Sequence, residues 1–184
     1  MPVQNEHQSN KKKCKRFLYK FEEGLPMSHA YSADEIFDMA EQIERNGAKF
    51  YRDAAENVSD SETTDFLLMI AKMEDNHLRT FSNMREELSG KETESPTFDP
   101  NNEAALYLRS LADSKIFFKK DIDTSSLEEV FKAAIVAEKD SITFYLGMKD
   151  LVPGHLGKEK LDEIIKEEMR HIRILNDKLI DLKG

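Results

Sequence analysis

Tryptophan is absent from this chain, and cysteine occurs once, at Cys14. A single cysteine excludes an internal disulfide framework and any four-cysteine metal site within the chain. The lack of disulfides points to the reducing cytoplasm. β-branched runs are scarce, and Glu, Lys, Leu, Ala and Met fill the periodic stretches, which is a helical composition. No apolar run approaches the length of a membrane span, so no membrane association is expected. Phe17-Leu18-Tyr19 is cut off by Lys20 and is too short for a signal-peptide core. Positive charge is also in short supply. The net charge is −9, which argues against nucleic acid as a partner.

The net charge is unevenly spread along the chain. Residues 1–27 carry net +3, leaving −12 for the remainder. Residues 1–30 therefore read as a basic, flexible arm, and 31–184 as one domain long enough to bury a core. Four long helical patterns fill that domain. The first runs from about Ser32 to Val58, with Ser32 and Glu35 placed as a capping box. The second runs from about Ser61 to Leu88, stopped by Ser89-Gly90. The third starts near Ser125 or Ser126 and ends at Pro153-Gly154. The fourth spans about Lys158 to Leu182. Residues 91–101 read as a loop, and a shorter helix is expected over about Asn102 to Asp113. Helices one and two are closely linked, as are three and four, so each pair forms an antiparallel hairpin. Residues 89–124 are enough to cross a bundle end to end. The predicted fold is an all-α four-helix bundle, two hairpins joined by a long crossover that contains a short helix.

The apolar seams of these helices carry residues that do not belong in a core. Glu44, Glu74 and His77 recur 94 positions later as Glu138, Glu168 and His171. In each half a Glu is followed 30 residues on by Glu-x-x-His. That spacing sets a carboxylate and an imidazole one turn apart on one helix face, able to grip one ion together. An unpaired buried carboxylate costs several kcal/mol, and four converging ones also repel each other. No Lys or Arg occupies a neighbouring seam position at that level, so two cations are the expected counter-charge. A mixed oxygen and nitrogen set without thiolate suits iron or manganese better than zinc. Without metal, repulsion and burial should raise the glutamate pKa values, so stability should increase as pH falls from neutral to mildly acidic. Glu35, Glu41, Glu56, Glu86, Glu87 and Glu163 read as solvated residues. Met69, Met73, Met84, Met148 and Met169 read as core filler.

Glu44-x-x-Gly47-x-x-Phe50-Tyr51 with Glu74-x-x-His77, then Glu138-x6-Tyr145 with Glu168-x-x-His171, closely resembles the rubrerythrin-like branch of the ferritin-like superfamily over about residues 32–183. The resemblance implies two iron ions, with Glu74 and Glu168 bridging and His77 and His171 capping one ion each. Glu44 and Glu138 are then terminal or bridging carboxylates, and Tyr51 and Tyr145 hydrogen-bond donors to them. It implies reduction of peroxide or O2 with electrons from an external donor, in a homodimer. The alternative is a non-catalytic iron-binding protein, a buffer or sensor. The chain departs from the family in two ways. It lacks the cysteine pairs of a rubredoxin domain, and Ser141 stands where rubrerythrins carry an additional Glu one turn after the third-helix ligand.

Overall fold

The computed structural model describes residues 31–94, 106–108 and 126–183, so the basic arm over 1–30 lies outside the described residues. Five α-helices stand among the described residues: α1 (Ala33–Glu56), α2 (Ser61–Glu86), the short α3 (Gly90–Glu94), α4 (Leu127–Leu151) and α5 (Lys158–Asp181). Their starts follow local chemistry. The Ser32 hydroxyl accepts from Glu35 N while Glu35 accepts from Ser32 N, the reciprocal box expected from the sequence. Asp60 caps α2 by accepting from Thr63 N at 2.8 Å, and Ser126 caps α4 by accepting from Glu129 N. The α4–α5 link contains a 3₁₀ turn (Gly154–Leu156) and then Gly157, whose φ of 85° is left-handed.

Two details differ from the sequence reading. Helix α2 ends at Glu86, and residues 91–94, read as the start of a loop, belong to the short helix α3 that follows Ser89. Ser89 O accepts from both the backbone N–H and the hydroxyl of Thr93, which closes the first turn of α3. Of the expected helix over Asn102 to Asp113, only 106–108 are described, and these are helical. Leu108 is fully buried, and Tyr107 and Leu108 lie against Gly147 of α4, where a Cβ would sit 3.0 Å from the Tyr107 ring. A glycine at 147 therefore lets the crossover approach α4 closely.

The core is divided into two apolar compartments. One holds Ile36, Phe37 and Ala40 of α1, Phe81 and Met84 of α2, Phe144 and Met148 of α4, and Leu161, Ile164 and Ile165 of α5. The other holds Phe50 and Ala54 of α1, Leu67 and Ile70 of α2, Val130 and Phe131 of α4, and Leu175 of α5. Chain direction follows from this division. Helices α1 and α5 run from the first compartment to the second, and α2 and α4 run the opposite way. Helix α2 thus finishes at the end opposite to where α4 begins, and the crossover spans a helix length of roughly 36 Å. Each hairpin packs along its length, α1 also packs on α4, and α2 on α5. This is the bundle with one long crossover that the connection lengths predict.

Burial corrects three expected side-chain positions. Met84 and Met148 are core, but Met69 and Met169 are exposed, because they sit beside the seams and not on them. Glu41 was expected in solvent and is 3% exposed. Its carboxylate is held by Arg45 at 2.5 Å, and Arg85 of α2 comes within 3.7 Å while also binding Asp34 and Asp38. Sequence shows the Arg45 partner one turn away, whereas Arg85 arrives only through the hairpin.

The left-handed Gly157 yields a stability prediction. Gly157→Ala should destabilise the protein by about 1–2 kcal/mol, because an L-residue is strained at that φ. Gly154→Ala, where a Cβ meets nothing within 4 Å, serves as the control and should lower the melting temperature less.

Candidate metal centre

Between the two apolar compartments lies one polar layer, and all six repeated residues are in it. Glu44, Glu74, His77, Glu138, Glu168 and His171 are each at most 4% exposed. The antiparallel hairpins put the middle of every long helix at one level, so in-register seam residues converge. Two groups of donor atoms, each within 4.8 Å of one another, result: Glu44, Glu74, His77 and Glu168, and Glu74, Glu138, Glu168 and His171. Glu74 and Glu168 belong to both. The imidazoles lie side by side, ring centroids 5.7 Å apart and planes 24° from parallel.

Each histidine turns Nδ1 inward. His77 Nδ1 is 2.9 Å from Glu168, 3.6 Å from Glu44 and 3.9 Å from Glu74. His171 Nδ1 is 2.9 Å from Glu168, 3.1 Å from Glu74 and 3.6 Å from Glu138. These contacts are close but not aligned as hydrogen bonds. Both Nδ1 atoms, both Glu168 oxygens, Glu44 Oε2 and Glu74 Oε1 are buried without a hydrogen-bond partner among the described residues. Buried polar atoms are ordinarily satisfied. A set of unsatisfied donors facing one another is what a cation would satisfy, and four carboxylates with two imidazoles suit two ions of the iron or manganese type.

The tyrosines are exchanged between the halves. Tyr51 of α1 donates to Glu138 of α4, and Tyr145 of α4 donates to Glu44 of α1. Each hydroxyl thus fixes the carboxylate on the opposite hairpin. Burial, then the adjacent Glu138 charge, pushes the Tyr51 hydroxyl well above its usual range, and burial with Glu44 does the same for Tyr145. Both therefore keep their protons and remain donors. Ser141 is buried, its hydroxyl donating to Ala137 O at 3.1 Å.

Sequence reasoning passed over one contact. Glu167, beside Glu168, reaches across from α5 and lies 2.7 Å from His77 Nε2. The signal was a break in the repeat, since the residue before Glu74 is Met73.

Metal-free, the layer balances its charge with protons. Burial, then repulsion from Glu168, Glu138 and Glu44, pushes Glu74 well above the usual carboxylate range. Burial and the Glu168 charge raise Glu138 to about 8. Burial opposes a charge on His77, but its contacts with Glu168 and Glu44 outweigh this and lift it to about 12. His171 is raised in the same way, with burial overcome by Glu138, Glu168 and Glu74. Glu168 goes the other way from the sequence expectation. Burial favours its neutral form, but two facing imidazoles overcome that and hold it below the usual range.

No protein-family model matches the chain, and no curated protein does. Among solved structures it is similar to the crystal structure of a Thermotoga maritima protein assigned as a ferritin-like diiron-carboxylate protein. The two are 27% identical, with a TM-score of 0.60, over 82% of this chain and 95% of that one. The fold is ferritin-like, and its buried Glu/His cluster fits a di-iron site. No helix among the described residues is long and apolar enough to cross a membrane.

The shifts give a two-sided pH dependence for the metal-free protein. Groups raised in the fold contribute stability that is complete below their unfolded pKa and lost as pH rises through the folded value. Glu74 and Glu138 therefore add stability as pH falls from about 8 to about 5. Glu168, depressed in the fold, contributes above its unfolded value of 4.5 and loses that contribution on further acidification. Melting temperature measured on chelator-treated protein should rise between pH 8 and 5 and turn down below about 4.5. A monotonic fall from pH 8 would contradict the clustered, proton-sharing site.

Proposed function

We propose that this chain is a di-iron carboxylate protein that reduces peroxide or O2, drawing electrons from a separate donor. One observation carries the reading: six buried donors, repeated at an offset of 94, converge between two apolar compartments with their inward atoms unsatisfied. The similarity to the Thermotoga diiron-carboxylate protein supports the choice of iron.

In this reading Glu44, Glu74, His77 and Glu168 hold one ion and Glu74, Glu138, Glu168 and His171 the other. Glu74 and Glu168, which belong to both groups, would be shared between the ions, and Glu44 and Glu138 would be terminal or bridging carboxylates. Manganese fits the same donor set. When bound in the ferrous state, the pair of ions supplies the two electrons that reduction of a peroxide requires. The chain does the rest. The exchanged tyrosines pin Glu138 and Glu44, and the two imidazoles present Nδ1 from one side. The apolar compartments above and below exclude bulk water and strengthen the electrostatics within the layer. A separate electron donor is part of the reading because one cysteine cannot furnish a rubredoxin-type centre.

Anaerobic loading with Fe(II) should give about two ions per chain, and adding peroxide should oxidise them fast, in a manner that a reductant reverses over many cycles. A single stoichiometric oxidation with no further cycles would mark an iron buffer or sensor instead. Glu74→Ala and Glu168→Ala should each lower the bound metal measured by elemental analysis. If the double variant still binds two ions, the ligand assignment is wrong.

A further inference from the structure

The internal repeat makes its own exceptions visible. Glu74 and His77 have Glu168 and His171 as repeat partners, yet the residue ahead of the glutamate is Met73 in α2 and Glu167 in α5. The difference reaches the histidines. Glu167 Oε2 lies 2.7 Å from His77 Nε2, the ring nitrogen on the far side from the carboxylate layer. A carboxylate at that distance accepts the Nε2 hydrogen. With its Nε2 hydrogen held there, the proton that His77 gives up on taking an ion is the one on Nδ1, the atom aimed at Glu44, Glu74 and Glu168. His171 turns its own Nδ1 toward Glu74, Glu138 and Glu168. Its Nε2, however, is buried with no hydrogen-bond partner among the described residues. One imidazole therefore has a partner on its outer nitrogen, and the other has none there among the described residues.

We propose that Glu167 is a positioning residue that makes the two metal positions unequal, so that the position formed by Glu44, Glu74, His77 and Glu168 fills first and holds its ion more tightly. The proposal rests on the two-metal reading above and adds an order of loading to it. An imidazole held by a carboxylate on its outer nitrogen presents its lone pair in one orientation, and losing such a partner typically lowers metal affinity by about 10–100-fold. His171 has no such partner on its Nε2 among the described residues. Glu167 has 41% of its side chain exposed, so it can be replaced without opening a cavity in the core.

The test is an anaerobic calorimetric titration of the full chain with Fe(II). Two separable binding steps are expected, the first tighter by about tenfold or more. Glu167→Ala should weaken the first step by about 10–100-fold, leave the second nearly unchanged and merge the two. Glu167→Gln retains an oxygen that can accept from Nε2 and should preserve much of the separation. Met73→Glu places a carboxylate at the repeat-equivalent position and should tighten the second step. Nitrogen-15 spectra of the metal-free histidines give a readout independent of affinity. The hydrogen-bonded Nε2–H signal of His77 should persist in Glu167→Gln and vanish in Glu167→Ala. Two equal steps in the unaltered chain, or a separation that survives Glu167→Ala, would overturn the proposal while leaving the two-metal reading intact. Absence of iron uptake would overturn both.

Discussion

Four carboxylates buried at one level of a helical bundle are the constraint on which the rest of this structure depends. Left bare, they would repel one another in a medium that screens poorly, at several kcal/mol for each charge taken from water. The surrounding residues manage that cost. Two imidazoles face Glu168 and hold its charge, two tyrosines donate to Glu44 and Glu138, and Glu74 and Glu138 retain protons far above the usual carboxylate range. A pair of divalent cations would take over from those protons. Metal affinity should accordingly increase with pH, since each bound ion must displace protons from the layer. The same residues that stabilise the metal-free fold under mildly acidic conditions therefore oppose loading there.

The layer also explains how the helices are used. By interrupting the core it produces two apolar compartments, and each long helix contributes to both. A tilt or register slip in any helix would move its carboxylate off the common level while breaking packing on both sides. The tyrosine exchange ties the hairpins together through the site itself. Tyr51 and Glu44 lie on one helix, yet each is bonded to the other half, to Glu138 and Tyr145 respectively. Hydrogen bonds of this kind give geometric specificity that apolar contacts lack.

Much of this was legible in the sequence because the site is built from seam positions. A three-and-four spacing identifies the buried face of a helix, and a Glu or His on that face stands out against Phe37, Ile70, Phe131 or Leu175. Short links fixed the hairpins, and the capping box at Ser32 marked where α1 begins. The residues that escaped were those whose partners arrive from another helix. Glu41 reads as a surface residue until Arg85 is brought over it from α2. Glu168 was expected to share the upward shift of its neighbours. Its opposite shift depends on two imidazoles meeting the same carboxylate from different helices, which no linear spacing reveals. Met69 and Met169 were misplaced for a simpler reason: composition was weighed there without the face on which each stands.

The repeat offset of 94 has a further physical meaning. The repeat produces two groups of potential ligands that have Glu74 and Glu168 in common, and in the two-metal reading these would be two like positions. Equivalent positions would share the first ion evenly, because neither offers it better terms. Any difference between them must come from residues at which the halves have diverged. Among residues near the site in sequence, Ser141 has Gly47 as its repeat partner, and Glu167 has Met73. The first pair is small on both sides, and Ser141 spends its hydroxyl on its own helix at Ala137 O. The second pair places a charged acceptor on one imidazole, while the other has none on its outer nitrogen among the described residues. The clearest physical difference between the two halves thus stands just outside the six repeated residues, where a change of side chain leaves the carboxylate layer undisturbed.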